Sequence, residues 1–179
     1  MEIRPLRKDD DRSSFTCGNS DLDDYFRKYA WKNQEMIGIG QTHVAIKDGR
    51  IAGFVTIASA QIESDRAGLA LKKRFPSYPL PALRLARMGV EKSGQRQGVG
   101  KKLLIYVFKR TAEFKAIAGC IGLVVDAKVE SRSFYDQFGF VQLEDVQSGS
   151  LFKDETVELI LPTSHIEAVL SGIAAPPAT

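Results

Sequence analysis

The segment Glu91-Lys92-Ser93-Gly94-Gln95-Arg96-Gln97-Gly98-Val99-Gly100-Lys101 has the residue types to hold an anion. A polar, glycine-containing turn leads into a long amphipathic helix. The first turn of such a helix has N–H groups without intrahelical acceptors and carries the positive end of the dipole. Gly98 and Gly100 lack Cβ atoms, so a phosphate can approach those N–H groups closely, and Arg96 and Lys101 add positive charge. The same glycines also suit a helix that simply packs closely on a strand, and both readings stand at this point. Two nucleotide fingerprints fail. Leu103 occupies the slot of the third glycine in the dinucleotide pattern, and Ser93 and Gln95 stand five positions before Gly98 and Gly100, where the Walker pattern requires glycine. Neither NAD nor ATP is the expected ligand.

Other reactive side chains form no constellation. His43 falls on a strand and His165 near the end of the chain, where a lone imidazole is more often structural. Glu91 is either a base acting through water or a solvated strand end. Cys17 reads as a small packed residue, and no Ser-His-Asp or Cys-His set can be assembled.

The elements that must position the loop are legible in the hydrophobic pattern. A helix is expected from Ser20 to Asn33, capped by Ser20, with Leu22, Tyr25, Phe26, Tyr29 and Ala30 on one face. Thr42 to Ile46 reads as a strand. Asp48-Gly49 signals a hairpin turn with positive φ at both positions, returning as a strand from Ile51 to about Ser59. A short helix is expected from Gly68 to Phe75, then a loop through Pro76, Pro79 and Pro81. Leu83 to Glu91 is extended. Gly98 to Phe114 is the strongest helix, with Val99, Leu103, Leu104, Val107, Phe108 and Ala112 as its apolar stripe. Cys120 to Val125 reads as a strand buried on both faces. A helix from Ser131 to Phe138 stops at Gly139. Phe140 to Leu143 and Thr156 to Leu161 complete a mixed α/β domain.

Composition sets outer limits. The 179 residues are 44% hydrophobic and 26% charged, which is enough to build a core without staples. One domain over residues 1–170 is expected, with a flexible tail at 171–179 ending Ala174-Ala175-Pro176-Pro177-Ala178-Thr179. Two cysteines are too few for a disulfide framework or a four-ligand zinc site, so no metal is expected. No apolar run reaches membrane-spanning length, so no membrane association is expected. The polar start, Met1-Glu2-Ile3-Arg4-Pro5, points to the cytoplasm. Twenty-five basic against 22 acidic residues gives a net charge of +3, which permits an anionic ligand without announcing nucleic acid.

Gln95-x-x-Gly98-x-Gly100 at a helix start, after the strand Arg87-Met88-Gly89-Val90-Glu91, resembles the pyrophosphate-binding motif of the GNAT family of acyl-CoA N-acetyltransferases. Phe134-Tyr135-Asp136-Gln137-Phe138-Gly139-Phe140, downstream, resembles that family's second signature. The resemblance implies the GNAT fold, a mixed, mostly antiparallel sheet with a splayed strand pair and flanking helices, and acetyl-CoA as co-substrate. It implies that Met88, Gly89 and Val90 meet the pantetheine arm. Gln97, Gly98, Val99, Gly100 and Lys101 would then give amides to the pyrophosphate, with side chains from Gln95 and Arg96. Asp126 and Ala127 would border the cleft between the splayed strands, and Ser133 and Phe138 would add coenzyme contacts. Tyr135 matches the tyrosine that protonates the departing thiolate, and a phenol with a pKa of about 10 is a donor at neutral pH. Lys128 and Ser131 stand where many members carry Asn and Ala, a departure that removes the usual asparagine contact.

Phe15-x-Cys17-Gly18-x-x-x-Leu22-Asp23-x-Tyr25-Phe26 resembles the opening of GNAT toxins from bacterial toxin–antitoxin pairs. Ala86 to Glu91 and the strand Thr156 to Pro162 resemble further stretches of those toxins. This implies acetylation of the α-amine of aminoacyl-tRNA by direct attack on the thioester, a ribbon–helix–helix antitoxin as partner, and room for a homodimer. Deprotonating a lysine amine at pH 7 costs ~4.6 kcal/mol, against ~1.4 kcal/mol for an α-amine of pKa about 8, which suits an enzyme with little base machinery. Arg66, Lys72, Lys73, Arg74, Arg84 and Arg87 concentrate positive charge for such a substrate or are scattered solvated side chains. The alternatives are a housekeeping N-acetyltransferase of small amines or protein N-termini, and a non-catalytic acyl-CoA-binding regulator.

Overall fold

A computed structural model describes residues 1–143 and 156–172. From residue 173 the expected tail lies outside the described residues. Seven strands form one sheet in the order β1-β2-β3-β4-β5-β7-β6. They are β1 (Glu2–Pro5), β2 (Gln41–Lys47), β3 (Arg50–Ile62), β4 (Leu80–Val90), β5 (Gly122–Lys128), β6 (Val141–Gln142) and β7 (Thr156–Pro162). The β1–β2, β2–β3, β5–β7 and β6–β7 ladders are antiparallel. The helices are α1 (residues 20–37), α2 (Ser64–Leu71), α3 (Val99–Ala118), α4 (Arg132–Asp136) and α5 (Thr163–Leu170). The chain divides into two compact units, Met1–Ala58 with Leu85–Val107, and Ser59–Arg84 with the chain from Phe108 onward.

In the first unit the β2–β3 hairpin turns through Asp48 (φ 51°) and Gly49 (φ 73°), as the Asp-Gly pair predicts. β1, absent from the sequence reading, pairs with β2 from Glu2 opposite Ile46 to Pro5 opposite His43. Helix α1 differs from expectation in two ways. Its cap is Asn19 rather than Ser20: the Leu22 N–H donates to Asn19 Oδ1 at 3.0 Å. It also contains π turns at Tyr25–Tyr29 and Asn33–Ile37 between α turns at Ser20–Asp24 and Ala30–Lys32. The wider turns rotate the apolar face, so Phe26 and Ala30 are sealed while Tyr29, expected inside, is 52% exposed. The core joins Leu6, Phe15, Phe26, Ala30, Val44 and Phe54. Phe26 stacks on Phe54 at 4.3 Å, with Phe15 edge-on to both.

In the second unit α2 begins four residues before the expected Gly68. The Lys73 N–H donates to the Gly68 carbonyl, and Lys72 is left-handed (φ 48°), so Gly68 sits in the last turn. Ile62, Ala67, Leu80, Ala82, Val124, Leu143 and Ile160 form its core. β5 is buried from Gly122 to Val125, as its apolar run predicts. Helix α5, not anticipated, follows β7 directly, and the Thr163 hydroxyl donates to the Cys120 carbonyl at 2.9 Å. Among the described residues no helix is long and apolar enough to cross a membrane.

Candidate active site

The anion loop is built from the end of β4. The Glu91 N–H donates to the Ala52 carbonyl, and the Glu91 carboxylate accepts both the N–H and the hydroxyl of Ser93. A 3₁₀ turn at Lys92–Gly94 results. Those bonds, the Ser93 hydroxyl first, hold the Glu91 carboxyl below its ordinary value, which makes it a weaker base than a free glutamate. Arg96 (φ 61°) and Gly98 (φ 80°) then take left-handed conformations and redirect the chain into α3. The helix start sits close to the sheet at Gly53, where a Cβ would lie 3.0 Å from both the Gly89 carbonyl oxygen and Leu103 Cδ1.

Two exposed glutamines of the loop bond to their surroundings. Gln95 Nε2 donates to the carbonyls of Cys17 (2.8 Å) and Val90 (3.2 Å). Gln97 Nε2 donates to the Ser93 carbonyl, and its Oε1 accepts from Lys47 Nζ at 3.1 Å. The i−4 positions of Val99, Gly100 and Lys101 precede the helix, so their N–H groups have no acceptor within it. A Cβ at Gly98 would meet nothing within 4 Å. Arg96 and Lys101 are exposed and have no carboxylate partner among the described residues. Uncommitted amides, open space and two free cations fit a diphosphate.

Upstream, Gly89 is buried, and a Cβ there would come within 2.7 Å of Phe54 Cε1, in the middle of the stacked rings. Met88 and Val90 flank it, half-buried. The Arg87 guanidinium lies 5.4 Å over the Tyr25 ring, and the Tyr25 hydroxyl donates to Thr56 Oγ1. Met88 to Lys101 therefore form one continuous stretch of the first unit.

Asp126, Ser133, Tyr135 and Phe138 belong to the second unit. Tyr135 lies in α4, 6% exposed, edge-on to Phe134 (5.1 Å) and Phe140 (5.3 Å). Burial pushes its phenol up to about 12. The hydroxyl makes no hydrogen bond to another described residue. Phe138 packs edge-on to Phe108, and Ser133 is exposed. Asp126 stands directly opposite Glu158 in the β5–β7 ladder, and Arg84 bridges the two, with Arg66 also on Glu158 at 2.6 Å. Sequence reasoning missed this bridge because its members are far apart in the chain.

The remaining reactive groups are structural. His43 packs on the Tyr106 ring at 5.0 Å, and His165 abuts Gly139. Burial raises the thiol of Cys17 to about 11 and raises that of Cys120, which makes both poor nucleophiles. A cleft of about 1050 Å³ in the first unit has Ser93, Gly94 and Gln97 on one wall. Asp10, Asp11, Asp48 and Glu91 outnumber Arg4, Lys47 and Arg50 around it, so it does not favour a diphosphate.

Residues 38–142 match the acetyltransferase (GNAT) domain family. A tRNA-acetylating toxin of Mycobacterium tuberculosis is 33% identical over 138 residues, which span 76% of this chain and 82% of that protein. A crystal structure of a bacterial toxin shares the fold with a TM-score of 0.83, at 24% identity, over 95% of this chain and 94% of that one. AtaT complexed with acetyl-methionyl-tRNAfMet shares it with a TM-score of 0.78, at 24% identity, over 94% of this chain and 98% of that one. The chain belongs to the GNAT acetyltransferase family.

Proposed function

We propose that this acetyltransferase is a toxin that transfers the acetyl group of acetyl-CoA to the α-amine of aminoacyl-tRNA. The observation that carries the reading is the 33% identity to a tRNA-acetylating toxin across three quarters of the chain. The uncommitted amides of Val99, Gly100 and Lys101, beside the open space at Gly98, support it independently, because they are what a coenzyme diphosphate requires. Residues 1–170 act as one acetyltransferase domain; in support, the family match runs through segments of both compact units.

In this reading the amides of Gln97 to Lys101 hold the diphosphate. Arg96 and Lys101 add charge, and Gln95 fixes the loop. Met88, Gly89 and Val90 line the pantetheine arm, and Asp126, Ser133 and Phe138 are assigned to the coenzyme. Bound acetyl-CoA supplies an acetyl group already activated as a thioester. Tyr135 keeps its proton far above neutral pH and donates it from Oη to the departing sulfur as the C–S bond breaks, while the proton lost by the newly acylated nitrogen passes to solvent water, which reprotonates the phenolate. Direct attack needs a neutral amine, and an α-amine of pKa about 8 is neutral at pH 7 for about 1.4 kcal/mol, so no strong base is required. A DNA-binding antitoxin of the ribbon–helix–helix class holds the toxin in check, the protein works in the cytoplasm, and it can pair as a homodimer.

Incubation with labelled acetyl-CoA and total charged tRNA tests the reading. Label should appear on the amino-acid nitrogen of one or a few aminoacyl-tRNAs. Label on free amines or protein N-termini, with charged tRNA untouched, would instead select a housekeeping acetyltransferase.

A further inference from the structure

The opening motif Phe15-Thr16-Cys17 forms a strap with each of its carbonyls committed. The Phe15 carbonyl accepts from the Arg27 guanidinium, that of Thr16 from the Lys92 N–H at 2.8 Å, and that of Cys17 from Gln95 Nε2 at 2.8 Å. The last two donors are residues of the anion loop. On its other side the strap is held by one carboxylate. Asp23 Oδ2 accepts the Thr16 hydroxyl and Asp23 Oδ1 the Cys17 N–H, both at 2.7 Å. Asp23 is 7% exposed, in the first turn of α1. Phe15 anchors the strap, buried against Phe26 and Phe54.

We infer that Asp23 is a positioning residue for the coenzyme loop, acting through Thr16 and Cys17 on Lys92 and Gln95. The inference rests on the assignment of that loop to the coenzyme diphosphate. The geometry leaves the strap little freedom. With Asp23 in place, the Thr16 and Cys17 carbonyls point at the loop, where they take the Lys92 N–H before the left-handed turn and the Gln95 amide at its start. Without it, the Thr16 hydroxyl and the Cys17 N–H lose their acceptor, and the two carbonyls that set the loop are free to rotate. The amides from Gln97 to Lys101 would then have to be ordered by the coenzyme itself, which weakens binding without touching the reacting atoms.

Calorimetric titration with coenzyme A, alongside kcat and KM, tests this. Asp23→Ala should weaken coenzyme A binding about tenfold, the scale of one or two lost hydrogen bonds. kcat at saturating acetyl-CoA should hold within about twofold. Asp23→Asn, which can keep both contacts with the Thr16 hydroxyl as acceptor, should restore most of the affinity. Gln95→Ala should weaken binding similarly, and the Asp23→Ala/Gln95→Ala pair should be no weaker than the worse single variant, because both cut one chain of contacts. Thr16→Val keeps the test open if Asp23→Ala does not fold. An unchanged dissociation constant in the variants, or losses that multiply in the pair, would overturn the inference while leaving the loop assignment intact. Failure of the parent protein to bind coenzyme A would overturn both.

Discussion

A buried phenol holds its proton. Burial lifts Tyr135 to about 12, so it stays protonated across the working range of an enzyme that acts near neutrality. Its ring is already fixed edge-on by Phe134 and Phe140, and these contacts survive loss of the hydroxyl. Tyr135→Phe should therefore fold normally, bind coenzyme A as the parent does, and lose about 10²-fold or more in kcat, the lower range of general acid catalysis. Below about pH 11 the parent's kcat profile should show no break from this residue. A variant that kept its kcat would remove Tyr135 from the chemistry. Gly98 makes the contrasting residue case. At φ 80° with open space where a Cβ would point, alanine meets no clash but strains the backbone. Gly98→Ala should cost about 1–2 kcal/mol, seen as weaker coenzyme binding with kcat retained.

At the scale of elements, the bridge across β5 and β7 shows what pairing register demands. Asp126 and Glu158 face each other, an arrangement of like charges that destabilises an antiparallel pair unless a cation intervenes. Arg84 contacts both, and burial, which lowers its pKa, is outweighed by the two carboxylates that raise it. Arg84→Met should lower stability by about 1–3 kcal/mol, because it leaves the partly buried Glu158 opposed to the exposed Asp126, and adding Glu158→Gln should recover part of that loss. Equal melting temperatures for parent and Arg84→Met would show that Arg66 alone suffices. This bridge was not legible in the sequence, since it joins β4, β5, β7 and α2. What was legible rests on local chemistry. Asp48-Gly49 fixes its own turn, and the stripe from Val99 to Phe108 is buried as its spacing requires. The apolar face of α1 was read at 3.6 residues per turn, and its π turns move Tyr29 outward. Asn19 and Ser20 are both good caps, and only the bond from Leu22 separates them. The bonds of Asp23 to Thr16 and Cys17 were not legible either, because the strap it holds precedes it in the chain and folds back.

Across the whole molecule, carboxylates in both compact units report on acid stability. In the first unit Asp10 is lowered chiefly by its bond from Arg4. Asp23 is lowered because bonds from Cys17 and Thr16 outweigh the burial that would raise it. In the second, burial would raise Glu158, and the guanidiniums of Arg66 and Arg84 hold it down. A carboxyl whose folded pKa lies below its unfolded one contributes stability that is complete above the unfolded value and lost as pH falls through the folded one. For these groups the loss begins near the ordinary values of 3.8 and 4.5 and continues below them. His165 adds an earlier loss. Burial lowers it from 6.5, outweighing the Phe138 backbone contact that raises it, so the unfolded chain takes up a proton first and stability declines as pH drops below about 6.5. Chemical denaturation between pH 8 and pH 3 should thus show a shallow step below 6.5 and a steep one below about 4.5. His165→Gln should shrink the first and leave the second, whereas Glu158→Gln should soften the second alone. A single steep transition near pH 6 in the parent, unchanged by His165→Gln, would contradict this assignment of groups.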